Sequence, residues 1–304
     1  MTTRSMIALF LLFLVAAVGC GELDLGGPGD GQSVKFSSGY AFVRDGEIYV
    51  ADKSDYQAAK RLTDSGANSQ PAVSVDGRVI VFVHTDADGL TSLRRVSPAG
   101  GDESEIVPAS SDRQVAHPAL SPTGNLVAFI SKFFDGTASL TTVDIDGANE
   151  QLVASSSRDA SPSFYPDGGS VLVLSGADAL THDEMVKVEL SAGVRVSKVA
   201  GWSDLGERAV LSPDGSRIAF EMRVDGAKRI FVINESGDPS SLVQVTNTDG
   251  NDAFPTWIGN DRIGFASDAG GAWNVYEIDV SVGLSGSAYL TVPAAGECSF
   301  GGSL

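Results

Sequence analysis

The chain is poor in cysteine, histidine and positive charge, and each shortage removes a class of function. Its 304 residues hold only two cysteines, Cys20 and Cys298, so no disulfide framework can carry the fold. The histidines are three, His84, His117 and His182. Their places in the pattern below do not bring three or four matched ligands together, as a metal site requires. Lys and Arg number 21 against 39 Asp and Glu, a net charge of −18. Nucleic acid is thereby excluded as a partner, because binding it takes clustered basic side chains that displace counterions. Electrostatic docking on anionic lipid is excluded for the same reason.

Other absences concern motifs. There is no Gly-x-Ser-x-Gly elbow, no phosphate-binding loop, no Gly-x-Gly-x-x-Gly after a strand and no Cys/His pair for nucleophilic catalysis. Many aspartates sit in Asp-Gly turns, where they bond the backbone and tolerate left-handed conformations. Asp86-Ala-Asp-Gly89 and Asp144-Ile-Asp-Gly147 begin like calcium loops, but neither continues to a closing bidentate Glu. No cofactor is expected. No window of the exported part shows capped helical periodicity, so no long helix is expected either.

What is present is repetition. Pro71-Ala-Val-Ser-Val-Asp-Gly77, Pro118-Ala-Leu-Ser-Pro-Thr-Gly124, Pro162-Ser-Phe-Tyr-Pro-Asp-Gly168 and Ala209-Val-Leu-Ser-Pro-Asp-Gly215 are copies, and Pro255-Thr-Trp-Ile-Gly-Asn260 is a shorter one. A β-branched run follows each and ends at a bulky apolar residue, giving the column Phe42, Phe82, Phe129, Val173, Phe220 and Phe265. A second column holds Ile48, Leu93, Leu140, Met185, Ile230 and Val275. A period in the mid-forties means units that must stack to bury their apolar faces. Four short strands per unit joined by Asp-Gly and Gly-Gly turns describe a β-propeller blade. Both columns count six, so the expected fold is an all-β, six-bladed β-propeller. Its first unit lacks an inner strand, and Glu297-Cys-Ser-Phe-Gly-Gly302 aligns with the missing piece, so the C-terminal strand should close the ring.

The N-terminus reads as an export signal over residues 1–19: Arg4, then an apolar run from Met6 to Val18, then small residues before Cys20. Leu14-Val-Ala-Ala-Val-Gly-Cys20 resembles a bacterial lipobox with Ala17 where Leu is usual, which makes Cys20 a lipidation site. An ordinary signal peptide with an incidental cysteine is the alternative. Residues 20–37, rich in Gly, Pro and Asp, suit a flexible tether, and the propeller is assigned to 38–304.

The pattern in Leu211-Ser-Pro-Asp-Gly-Ser-Arg-Ile-Ala-Phe220, with the closing Arg61-Leu-Thr63 and Gln244-Val-Thr246, resembles the TolB-type (WD-like) β-propeller repeat over residues 38 to 302. The chain differs from TolB in having no α/β segment before the repeats, so TolB's own partners do not carry over. A rigid ring with variable loops on one face suits a non-enzymatic scaffold that binds an envelope protein or peptide through that face. The alternative is a stand-alone propeller lyase or hydrolase acting on a polysaccharide. The protein is expected as a monomer held by its lipid at the outer membrane. Cys298 should be a buried apolar residue rather than a reactive thiol.

The loops entering the inner strands differ between repeats and carry the candidate partner-binding residues: Gln114, His117, Arg158, Asp159, Trp202, Glu207, Arg208 and Asp252. Lipidation is tested directly: a fatty-acid analogue should label the wild-type chain and not Cys20→Ala, and equal labelling of both would remove Cys20 as the anchor.

Overall fold

The structure, a computed structural model, describes residues 36–156, 159–176 and 182–302. The signal peptide, Cys20, most of the tether and Arg158 lie outside these residues. The first repeat supplies β1 (Ser38–Arg44), β2 (Glu47–Asp52) and β3 (Asp55–Arg61). The second supplies β4 (Asn68–Val73), β5 (Ile80–Thr85), β6 (Thr91–Val96) and β7 (Ser104–Val107). The third forms β8 (Arg113–Leu120), β9 (Leu126–Phe133), β10 (Ala138–Asp144) and β11 (Gln151–Ser156). Then come β12 (Ala160–Phe164), β13 (Ser170–Ser175), β14 (His182–Glu189), β15 (Arg195–Leu211), β16 (Arg217–Val224), β17 (Ala227–Asn234) and β18 (Val243–Gln244). The last repeat gives β19 (Asp252–Ile258), β20 (Arg262–Ser267), β21 (Asn274–Asp279) and β22 (Tyr289–Val292), and β23 (Cys298–Gly302) follows it. The helices among the described residues are two 3₁₀ turns, Pro239–Ser241 and Val280–Ser285, and none is long and apolar enough to cross a membrane.

Strand pairing confirms an all-β propeller and corrects the expectation of six blades. Four sheets are discrete four-stranded blades: β23-β1-β2-β3, β4 to β7, β8 to β11 and β19 to β22. The fourth and fifth repeats form one seven-stranded sheet, β12 to β18. The cause is β15, seventeen residues long, which pairs with β14 up to Leu205 and from Leu205 onward with β16. Residues 201–208, expected as a loop, are the middle of this strand. The other inner strands carry Pro71, Pro118, Pro162 and Pro255; Ala209 stands at that place in β15, and its N–H donates to Ser161 Oγ at 3.1 Å.

The ring is closed. Strand β23 pairs antiparallel with β1, setting Cys298 opposite Phe42 and Phe300 opposite Tyr40. Every member of the two apolar columns is 0% exposed. Each hydrophobic cluster spans two successive repeats; Val81, Val83 and Leu93, for instance, pack against Val127, Phe129 and Val143. The cluster of Tyr40, Phe42 and Cys298 with Ile258 and Val275 joins last repeat to first. At about 1.5–3 kcal/mol per large buried side chain, these interfaces carry the fold.

The repeated Ser-x-x-Gly piece has a local cause. Ser74 Oγ accepts the Arg78 and Val79 N–H groups at 3.0 Å and donates to Asp76 at 2.6 Å. Gly77, at φ 69°, turns the chain there. Ser212, Asp214 and Gly215 (φ 71°) repeat the arrangement. These turns define one face of the ring, here the turn face. The loop face carries the connections into the inner strands. Phe36 and Gly302 both lie beside Gly77 at the turn face.

Deleting residues 296–304 removes β23 and leaves Phe42 and Tyr40 without cover. The expected loss is about 5 kcal/mol or more, comparable to the stability of a whole domain. Thermal denaturation of the truncated chain checks it, and an unchanged melting temperature would show that the C-terminal strand does not close the ring.

Candidate binding cavity

The residue entering each proline-led inner strand is strained in the same way. Gln70, His117, Ser161 and Phe254 have φ of 53°, 53°, 50° and 55°. The strand register slips at each of them. A left-handed non-glycine residue costs on the order of 1–2 kcal/mol, so these four bulges need support. Side chains of neighbouring repeats supply part of it. The Gln70 N–H donates to the Glu297 carboxylate. The His117 N–H donates to Gln70 Oε1 at 2.6 Å, and the Phe254 N–H to Glu221 Oε1 at 2.8 Å. Ser161 Oγ accepts from Ala209 N–H at 3.1 Å.

One residue past the proline column, hydroxyls join the inner strands to one another. Ser163 accepts from Leu211 N–H, Thr256 from Phe300 N–H and Ser299 from Val73 N–H, at 3.0, 2.9 and 3.3 Å. The Trp257 indole donates to Val210 O at 3.1 Å.

Around the axis these strands enclose a cavity of about 430 Å³, within the range of small-ligand sites. Its rim at the turn face takes the corresponding residue from every inner strand: Val75, Pro122, Pro166, Pro213, Gly259 and Gly302. Its walls are largely apolar, with Leu120, Phe164, Trp257 and Phe300 among them. Its inner end, toward the loop face, is formed by His117, Ser161 and Arg208.

The candidate residues separate into those that meet this cavity or the surface and those that turn inward. His117 and Arg208 line the cavity. Glu207 is exposed, and Gln114 is half-buried with its amide donating to Gly89 O at 3.1 Å. Trp202 lies on β15, partly buried, its ring 5.7 Å edge-on from Phe220. Asp159 is 2% exposed and holds Arg195 through two bonds of 2.7 and 2.8 Å. Asp252 is 0% exposed, accepts Thr248 Oγ1 at 2.7 Å and stands 3.6 Å from Arg229. Asp159 and Asp252 share this role with Asn68, which bonds Glu47, Thr63, Ser65 and His84. An Asx-x-x-Pro spacing was the available signal: Asn68-Ser-Gln-Pro71, Asp159-Ala-Ser-Pro162 and Asp252-Ala-Phe-Pro255.

Titration follows burial. Burial, aided by Lys132, Arg208 and His182, pushes the His117 imidazole down to about 3. Glu297 is raised by burial, against the Gln70 N–H and Arg208, which favour its charge. Cys298, 1% exposed, is pushed up to about 12 by burial, which makes its thiol unreactive, and it packs as a small apolar side chain. His182 opens β14, and its Nδ1 is 3.0 Å from Gly206 O. Among the described residues no group of three or more His, Cys, Asp or Glu is placed to hold a metal. In the calcium-like Asp86 turn, the carboxylate accepts the N–H groups of Asp88 and Leu90 at 2.9 Å.

A family model described as "Lipoprotein LpqB beta-propeller domain" matches residues 96–294. No curated protein matches the chain. Among solved structures, TolB from Acinetobacter baumannii superposes with a TM-score of 0.71 at 15% identity, covering 88% of this chain and 67% of that one. A chain of a nidogen/laminin complex gives 0.67 at 13%, covering 86% and 98%. An oligogalacturonate lyase in complex with manganese gives 0.53 at 16%, covering 83% and 72%. At these identities the likeness is one of fold alone.

A depressed histidine makes stability depend on pH in one direction. Folded His117 stays neutral while the unfolded chain binds a proton below its ordinary pKa near 6.5, so stability falls as pH drops from there toward 3. Between pH 6.5 and 4.5 His117 should account for a loss of about 2 kcal/mol. Urea denaturation at the two pH values should show His117→Gln losing that much less than wild type, and equal losses would mean that His117 protonates freely in the fold.

Proposed function

Because the chain belongs to the lipoprotein LpqB β-propeller domain family, we propose that it is a non-enzymatic envelope lipoprotein, tethered through Cys20, whose ring binds a protein or peptide at one face. The observation that carries this reading is the axial cavity. All six inner strands contribute to its rim, its walls are largely apolar with a few hydroxyls, and its charged group, Arg208, stands at the inner end. Pockets with that division of labour bury an apolar ligand and orient it with a few polar contacts. A rigid wall supports this, because an unstrained ligand then meets a site that need not reorganise. The bulges with their inter-repeat hydrogen bonds hold the inner strands in that arrangement.

The ligand enters from the turn face, where Pro166, Pro213 and Val75 are exposed around the opening. The outer membrane is the expected residence of the lipid anchor. The polysaccharide lyase or hydrolase reading would need a reactive constellation, and the groups at the inner end of the cavity are one imidazole, one guanidinium and one hydroxyl.

A photo-crosslinking amino acid placed at Asp76 or Asp214 on the turn face should yield a discrete adduct in intact envelopes. The same probe at Gln114 or Glu207 on the loop face should not. Adducts from the loop face alone would move the binding surface to the other side of the ring, and depolymerisation of envelope polysaccharide by the purified chain would replace the scaffold reading with the enzymatic one.

A further inference from the structure

The axial cavity is electrostatically unlike the rest of the molecule. The chain carries 39 acidic residues and a net charge of −18, yet no Asp, Glu or Lys lines the cavity and Arg208 is the charged side chain in its wall. The hydroxyls of Ser163, Thr256 and Ser299 already accept backbone N–H groups of the next inner strand. Ser161 Oγ is likewise engaged with Ala209. Ser163, Thr256 and Ser299 each keep an O–H to donate, and the charged donor facing the space is the Arg208 guanidinium, with the His117 ring at the same end.

Arg208 is poorly compensated where it stands. Among the described residues it forms no ion pair within 4.0 Å, and its Nε is buried without a hydrogen-bond partner. A guanidinium enclosed by apolar wall favours an anion strongly, because water screens the pair little there. Arg208 presents a planar fork of donors, the shape that matches a carboxylate in two parallel bonds. Other charges surround this end without lining it. Lys132 and His182 act on His117 from outside, and Glu297, whose carboxylate is engaged by the Gln70 N–H, feels Arg208 at longer range. Glu207 adds negative charge at the loop face.

Resting on the scaffold reading above, we infer that the inner end of the cavity is a carboxylate site. There Arg208 and His117 receive the C-terminal carboxylate of a peptide whose last residues are apolar and fill the proline-lined opening. Rim and walls explain the apolar requirement: Val75, Pro122, Pro166, Pro213, Trp257 and Phe300 offer surface but no free donor, since the Trp257 N–H is taken by Val210. An extended peptide end fits this geometry better than an internal segment, because the opening is at one face and the anion-binding group at the far end.

The test uses the chain's small number of histidines. Ring resonances of the full chain are recorded by NMR, with the His117 signal assigned by its loss in His117→Gln. N-acetyl-prolyl-leucine with a free carboxylate, its C-terminal amide and hexanoate are the probes. The free acid should shift the His117 signal saturably. The amide and Arg208→Gln should each weaken binding at least tenfold, with Arg208→Lys intermediate, and hexanoate should bind more weakly than the peptide acid. A melting curve for Arg208→Gln matching wild type assigns the loss to the site and not to the fold. Equal binding of acid and amide, or undiminished binding to a folded Arg208→Gln, would refute the carboxylate site while leaving the scaffold reading standing. Hexanoate binding as tightly as the peptide acid would overturn the peptide as its source.

Discussion

A twisted four-stranded sheet with apolar residues on both faces cannot be stable alone, and everything else in this protein follows from how those faces are covered. Each sheet finds its cover in the next, so the apolar columns are fully buried although each repeat is small. The arrangement works only if the last face meets the first. The contact of Tyr40, Phe42 and Cys298 with Ile258 and Val275, held by β23 on β1, meets that condition. Stability is therefore spread around a ring with no privileged centre, and the centre itself is left as a space.

That space is where structure and function meet. The inner strands cannot converge on the axis without crowding, and they stand off around a cavity that opens at the turn face. Holding them there takes left-handed bulges at Gln70, His117, Ser161 and Phe254, conformations that four different side chains adopt despite their cost. Inter-repeat hydrogen bonds from Glu297, Gln70, Glu221 and Ser161 offset it. The same bonds withdraw most polar groups from the cavity, so Arg208 and His117 stand out chemically although they are ordinary in sequence.

The merged seven-stranded sheet departs from the repeat at one strand. Where the other repeats break between outer and inner strand, β15 runs on, pairing with β14 up to Leu205 and with β16 from Leu205 onward. Trp202 is thereby fixed on a strand over Phe220 rather than left on a loop. Asp159 and Asp252 were drawn inward by a related rule, since an Asx two residues before the bulge ties down the incoming chain.

By itself the sequence determined the all-β class, the repeat, the turns, the buried columns and the C-terminal strand as the closing piece. All of these follow from patterns legible along the chain: β-branched runs recurring with a period in the mid-forties, Ser-x-x-Gly turn chemistry and a copy missing at one end and present at the other. Tertiary structure alone decided how the inner strands are tied to one another across the ring and that a single arginine stands in an acid-free cavity. Those depend on distances between residues more than forty positions apart, such as Ser161 and Ala209 or Phe254 and Cys298. No local pattern encodes such distances, because closing the ring sets them.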